Sequence, residues 1–314
     1  MLIPFILFLN MAIYKNTTEL SKVYKGASEL SAVYFGVDKI FPILEYIIEF
    51  LVIAGGGGGN AGGGGGGAGG YLNSFSTENS GQNSPTLTPI IPTLGNVYSV
   101  NIGAGGVKSS QSSSDANTTG TAGGNSSLSG APTAIGGGCG TYTVNRAANN
   151  GGSGGGSVFA NAPDTTGTIN QGYRGDNGTP TFNQWAGGGG GAGAVGTTDN
   201  GALGLNSLIT GTLIGRAGGG AGGQWSSATR TGFDGGGNSP SGNGTSNTGG
   251  GGGGGGSTSQ SESQLRAAGN GGSGVVILRM PTANYSGTTT GSPTVTTDGT
   301  DTILTYTGSG TYTA

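Results

Sequence analysis

The chain has 314 residues, 76 of them glycine and 11 proline, with a formal net charge of −3, one cysteine and no histidine. Glycine at several times its usual level of about 7% ordinarily marks low complexity, but so small a net charge excludes disorder by charge repulsion. A collagen helix, which needs glycine at every third position, is excluded, as are an internal disulfide framework, Cys/His zinc sites and Ser-His-Asp or Cys-His catalysis.

The first element is Leu2–Leu9 (LIPFILFL), an apolar run well short of the roughly 20 residues of a spanning helix. No Lys or Arg precedes it, as a signal peptide would require. Three readings stay open: an upstream extension before a true start at Met11, a buried strand or anchor, or a signal-peptide core.

A repeat follows. Thr18–Ala27 (TELSKVYKGA) and Ser28–Val37 (SELSAVYFGV) align closely, and Asp38–Pro42 (DKIFP) starts a truncated third copy. Each unit reads as a short strand and a turn, too small to bury a core without neighbours. Residues Leu20, Val23, Tyr24, Leu30, Val33 and Tyr34 are therefore expected to pack between chains of a homo-oligomer, a trimer or a polymer. A monomeric β-meander is the alternative. The repeat resembles the "TEISKVYKG" repeats near the N-termini of phage tail-fibre proteins, where they lie toward the virion.

Tyr46–Ala54 (YIIEFLVIA) is a dense β-forming run that leads into Gly55–Gly59. A strand entering glycines suggests a dinucleotide site, but that motif needs a helix to start there. Asn60-Ala61 and six more glycines follow instead, and glycine costs about 1 kcal/mol in a helix interior. Gly103–Ser109 (GAGGVKS) lacks the glycine before Lys108 that a phosphate loop requires.

Glycine falls in discrete runs: Gly55–Gly59, Gly62–Gly67, Gly136–Gly138, Gly151–Gly156, Gly187–Gly191, Gly218–Gly223, Gly235–Gly237 and Gly249–Gly256. Ser153 and Ala221 are the only interruptions within them. Flexible linkers would join recognisable domains, and none are visible between the runs. As ordered elements the runs suit a left-handed extended helix with three residues per turn, rising about 3.1 Å per residue. That helix has no internal hydrogen bonds, so each N–H and C=O must find a neighbouring segment. Only glycine permits the close approach this demands, and the non-glycine inserts are expected as loops at the two ends of the bundle.

Tyr46–Leu72 is similar to the "EYLVVAGGGGGG…AGGYV" opening of glycine-rich domain proteins of phage and marine viral genomes. Val97–Gly106 (VYSVNIGAGG) resembles their "YTVTVGAGG", Thr133–Gly138 (TAIGGG) their "AIGGGGGG", and Gly271–Arg279 (GGSGVVILR) their closing "GGSGVVIIRY". The resemblance implies a polyglycine II bundle, mostly irregular and all-β with short flanking strands and negligible α-helix. It also implies a place in a virion tail fibre or adhesin, beside other fibre proteins, with loops that contact a host-surface glycan or outer-membrane protein. Three segments are expected: an N-terminal β-repeat over 1–42, a glycine-rich domain over 43–280 and a C-terminal β segment over 281–314. Asp301–Ala314 resembles the "FTSSGTFTV" strand pair that usually precedes the family's opening motif. Its position here suggests a swap between protomers or a continuation into another copy.

Candidate recognition residues lie in two inserts, Tyr173–Trp185 and Gln224–Asp234. They supply Tyr173, Arg174, Phe182, Trp185, Trp225, Arg230 and Phe233, aromatics and arginines being typical anchors. These side chains bind a receptor, cap the ends of the glycine bundle, or pack between subunits. Arg174-Gly175-Asp176 spells an integrin tripeptide but is short enough to arise by chance. No enzyme, cofactor or metal is expected: 14 acidic residues lack an enzyme-like surround for a paired-carboxylate glycosidase. Eleven scattered basic residues make no nucleic-acid stripe, and no segment is expected to span a membrane. The alternatives to a fibre or adhesin are a self-assembling extracellular or cell-surface filament, with Tyr46–Ala54 and Ile303–Thr307 pairing edge to edge, and a disordered glycine-rich matrix.

Overall fold

A computed structural model describes residues 46–109, 120–142, 150–158, 165–179, 186–224, 229–256 and 266–314, plus the backbone of four short strands nearer the N-terminus. The chain divides into two units, Met1–Ile47 and Ile48–Ala314. In the first, β1 (Val23–Lys25) pairs antiparallel with β2 (Ser28–Leu30), and β3 (Tyr34–Phe35) with β4 (Asp38–Lys39). Val23-Tyr24 of the first repeat and Tyr34-Phe35 of the second thus each pair with the segment that follows. Val23, Tyr24, Leu30 and Tyr34 lie in these strands, while Leu20 and Val33 lie outside the described residues.

The second unit is nearly all β or irregular, and its only helical elements among the described residues are short 3-10 turns. Its strands are β5 (Glu49–Ile53), β6 (Tyr71–Asn73), β7 (Val97–Asn101), β8 (Ser127–Leu128), β9 (Leu205–Ser207), β10 (Ile214–Arg216), β11 (Val275–Pro281), β12 (Thr289–Thr290), β13 (Thr294–Asp298), β14 (Asp301–Tyr306) and β15 (Gly310–Thr313). They form antiparallel sheets of order β13-β14-β11-β5-β6 and β12-β15-β7-β8, and a β9–β10 hairpin. In the larger sheet β5 and β11 are buried along almost their whole length. This explains why FLVI and VVIL read as unbroken apolar runs. By contrast β7 alternates exposed and buried residues, so Val-Tyr-Ser-Val-Asn carries the period of two.

The C-terminal strands pair within the chain. β14 pairs with β11 and β13, and β15 with β7, all within the chain, so 281–314 is built into the same unit as the glycine-rich segment. Tyr46–Ala54 and Ile303–Thr307 contribute β5 and β14, both interior strands flanked on each side. Neither offers an edge for filament growth.

Between the strands the glycine runs bond to one another with a period of three. The amides of Gly55 and Gly58 go to the carbonyls of Gly124 and Thr121, those of Gly56 and Gly59 to Gly272 and Gly269, and those of Gly57 and Asn60 to Gly67 and Gly64. On the acceptor side, Gly137 and Gly140 donate to Gly55 and Gly58, Gly106 and Ser109 to Gly56 and Gly59, and Gly252 and Gly255 to Gly57 and Asn60. Donor partners therefore run antiparallel to 55–60, and acceptor partners run parallel to it. The 64–70 run is bonded with the same period of three: Gly65 and Ala68 donate to Gly187 and Gly190 of a parallel neighbour, Gly66 and Gly69 to Gly252 and Gly249, and Gly67 and Gly70 to Gly138 and Ile135 of antiparallel ones. A partner that recurs every third residue is what a three-per-turn extended helix requires.

Close packing fixes the composition. A Cβ at Gly57 would lie 2.1 Å from the Gly138 oxygen, and one at Gly189 would lie 1.9 Å from that of Gly66. Three alanines, Ala68, Ala192 and Ala217, sit where the lattice meets the sheets and share one core cluster with Leu51, Ile53, Tyr71, Ile209, Val275, Ile277 and Ile303. Side-chain amides replace missing carbonyls along the runs, as when Asn125 Oδ1 accepts from Gly136 N, Gln171 Oε1 from Ile135 N and Asn270 Oδ1 from Lys108 N.

Chain direction gives the lattice two unlike poles. Runs 55–60, 103–109 and 217–223 leave β5, β7 and β10, while 64–70, 120–125, 201–204 and 266–274 return to β6, β8, β9 and β11. The sheets therefore form one pole. The hydrogen-bond directions set the remaining runs: 135–140, 151–157, 172–176 and 249–256 travel away from the sheets, and 187–192 travels back.

Candidate functional site

The pole opposite the sheets is where several inserts leave the lattice. Ser109 and Gly120, Tyr142, Val158, Thr179 and Ala186, Gln224 and Thr229, and Gly256 and Arg266 flank inserts outside the described residues, and the run directions place these flanks at that pole. Asn150 instead precedes the outward run 151–157 and lies at the sheet end, and Thr165 lies partway along, bonded to Gly155 O. Loops at both ends were expected, and among the described residues the sheet end carries them too: 74–96 joins β6 to β7 and 208–213 joins β9 to β10.

The described surface of this pole is tied to the lattice by side chains. Asn60 turns the central chain: its Oδ1 accepts from Gly62 N at 2.7 Å, and its carbonyl from Gly63 N at 2.9 Å. Ser109 Oγ accepts from Ala61 N at 2.7 Å. The Tyr142 ring covers Gly62 so closely that a Cβ there would lie 2.0 Å from the ring. Arg230 pairs with Asp199 at 3.1 Å and donates to Gln224 Oε1 at 2.9 Å. Its backbone exchanges hydrogen bonds with Ser239, and Asn200 Oδ1 accepts from Thr231 N. The 197–200 turn and the Arg230 segment are thereby locked together, and this partly buried ion pair contributes mainly orientation.

The sequence-predicted residues divide between the poles. Arg230 lies at the loop pole. Phe182, Trp185 and Trp225 lie outside the described residues, within inserts whose flanks are at that pole. Tyr173 lies at the sheet pole: its amide bonds Gly191, beside Ala192 of the core, and its hydroxyl accepts from Asn83 Nδ2 at 3.2 Å. Arg174 is exposed partway along the run, with its carbonyl bonded by Gly196 N. Phe233, 39% exposed, also lies toward the sheets, next to the Gly218 that follows β10. The structure thus does not bring Tyr173 and Phe233 together with Arg230. Gly175 of the RGD tripeptide is a lattice residue whose Cβ would meet Gly155 O at 2.1 Å.

Tyr142, Asn60, Asp199 and Asn200 went unrecognised in the sequence. Tyr142 had a usable signal, an aromatic placed soon after a glycine run, as Trp225 is. Among the described residues no helix is long and apolar enough to cross a membrane, and no His/Cys/Asp/Glu group could hold a metal ion.

The family described as glycine-rich domain matches residues 40–281, spanning the lattice and the larger sheet up to the end of β11. No curated protein and no solved structure matches the chain.

Proposed function

This chain belongs to the glycine-rich domain family, and we propose that it is a non-enzymatic tail-fibre or adhesin subunit that presents host-binding loops from a polyglycine II scaffold. The observation that carries this reading is the shared pole. A lattice in which 55–60 and 64–70 are bonded on all sides is rigid, and the flanks of two non-glycine inserts, Thr179 with Ala186 and Gln224 with Thr229, lie together at one end of it. Recognition residues concentrate in loops held on such supports. Both tryptophans belong to those inserts, one just before the 187–192 run and one just after 217–223. A surface glycan or an outer-membrane protein loop suits such aromatics, which offer a flat apolar face with a polar handle.

The subunit acts as a homo-oligomer on a virion, beside other fibre proteins, with the N-terminal repeats toward the particle. A filament gains nothing from its expected pairing strands, which are interior. The test is the full chain, fluorescently labelled, on a panel of bacterial cells. Trp185→Ala with Trp225→Ala abolishes adsorption and leaves the thermal midpoint unchanged; undiminished adsorption by the folded double variant refutes the reading.

A further inference from the structure

The larger sheet ends on β13 at one side and β6 at the other. The β6 edge is covered, since Ser80 Oγ accepts from Asn73 N and Leu87 N donates to Asn73 O. The edges of the smaller sheet, β8 and β12, are two residues each. β13 is different: it is five residues long and exposed except at Asp298. Among the described residues no strand lies beyond it.

An open edge is a template for another strand, and proteins usually blunt one with lysine, proline or a bulge. Thr294-Val295-Thr296-Thr297-Asp298 has no lysine or proline, and its register with β14 is unbroken. Its one charge, Asp298, is held by Arg279 at 2.9 Å. Threonine and valine favour strands, and Val295 is 47% exposed.

We propose that β13 pairs antiparallel with β13 of a second copy of the chain, about a twofold axis at Thr296. The hairpin geometry selects this register. Gly299-Thr300 joins β13 to β14, so the flanking pair Asp298–Asp301 is hydrogen-bonded and alternate residues follow it. Thr294, Thr296 and Asp298 turn their main-chain groups to β14, and Val295 and Thr297 turn theirs outward. Centring the axis on Thr296 places Val295 opposite the partner's Thr297 in a hydrogen-bonded pair, twice. It also places Asp298 opposite the partner's Thr294, so no like charges meet. One surface patch serves both copies, as a closed twofold contact requires, and the two sheets become continuous. This pairing is independent of host binding at the far pole.

Thr296 would face its own copy as a non-hydrogen-bonded pair, with Cα atoms about 4.5 Å apart, inside the roughly 4.4–6.8 Å that a disulfide spans. The native Cys139 is buried, so an introduced thiol is the reactive one. The full chain carrying Thr296→Cys is mildly oxidised beside Thr290→Cys, an exposed control in the other sheet. The expected result is a disulfide-linked dimer for Thr296→Cys alone, reduced to the control level when Val295→Pro is added, since proline removes an outward N–H. The same Val295→Pro change in the otherwise native chain shifts sedimentation to a smaller species at an unchanged thermal midpoint. Equal cross-linking of both cysteine variants, no cross-linking of a folded Thr296→Cys chain, or unchanged sedimentation of Val295→Pro overturns the proposal.

Discussion

A methyl group on Gly66 would lie 2.1 Å from the carbonyl oxygen of Gly57. That oxygen accepts from Gly252 N at 2.9 Å, and Gly57 N donates to Gly67 O at 2.9 Å. Neither segment can retreat without breaking bonds on its other sides. The requirement for glycine here is one of distance between backbones rather than of dihedral freedom.

Gly66→Ala is therefore expected to destabilise the chain by about 3 kcal/mol, at the upper end for overpacking. Gly308→Ala is the control, because nothing lies within 4 Å of a Cβ there, and it should stay within about 0.5 kcal/mol of the parent. Chemical denaturation of both variants measures the difference. Equal stability of the two would remove the close-packed lattice from the account.

Tyr142 is 6% exposed and lies over Gly62. Truncating a buried aromatic to alanine costs about 3–5 kcal/mol. Tyr142→Ala should approach that cost, with amide exchange accelerated first at Gly62 and Gly63 and least at the sheets. Hydrogen exchange resolved by residue distinguishes this from uniform loosening.

Alkali should unfold the protein through the sheet pole. Burial, then the neighbouring Tyr285 and Tyr312 hydroxyls, push the Tyr306 phenol up to about 12 from an ordinary 10.0. Burial raises the Tyr71 phenol as well. The folded chain keeps these groups neutral where the unfolded chain ionises them. Their stabilisation is complete below pH 10 and is lost as pH rises from 10 toward 12. The thermal midpoint should fall in that window, and less steeply for Tyr306→Phe, although this variant also loses the 2.8 Å bond from the hydroxyl to Thr311 O. An equal slope for both chains contradicts the assignment.

The split between poles has a functional consequence. Tyr173→Ala and Phe233→Ala alter the sheet pole and should leave cell adsorption unchanged, whereas loss of Trp185 and Trp225 abolishes it. Adsorption of the three variants to the same cells, with circular dichroism as a check on folding, makes the comparison. Loss of binding on Phe233→Ala alone would put the recognition surface at the wrong end.

Much of this arrangement was legible in the sequence because it rests on local composition. The strand at Leu51 and Val52, its partner at Val275–Ile277 and the glycine runs between them follow from apolar density and from the absence of Cβ atoms. What the sequence concealed is direction. Whether 135–140 runs with or against 55–60 depends on which carbonyl Gly137 and Gly140 find, and glycines carry no side chain to signal it. The shared loop pole was hidden for that reason. So was the separation of Tyr173 from Arg230, whose inserts look equivalent in composition. The C-terminal strands misled differently, because Asp301–Ala314 pairs with β11 and β7 far back in the chain, a long-range contact with no local signature.

Amide hydrogen exchange at Gly57, Gly66, Gly220 and Gly252 tests the account at its centre. These amides bond in turn to Gly67, Gly252, Gly66 and Gly57. The lattice predicts exchange only through global unfolding, at rates matching the core strands β5 and β11. Exchange at the rates of an unstructured glycine peptide would show the runs to be linkers and contradict the scaffold on which the proposed function depends.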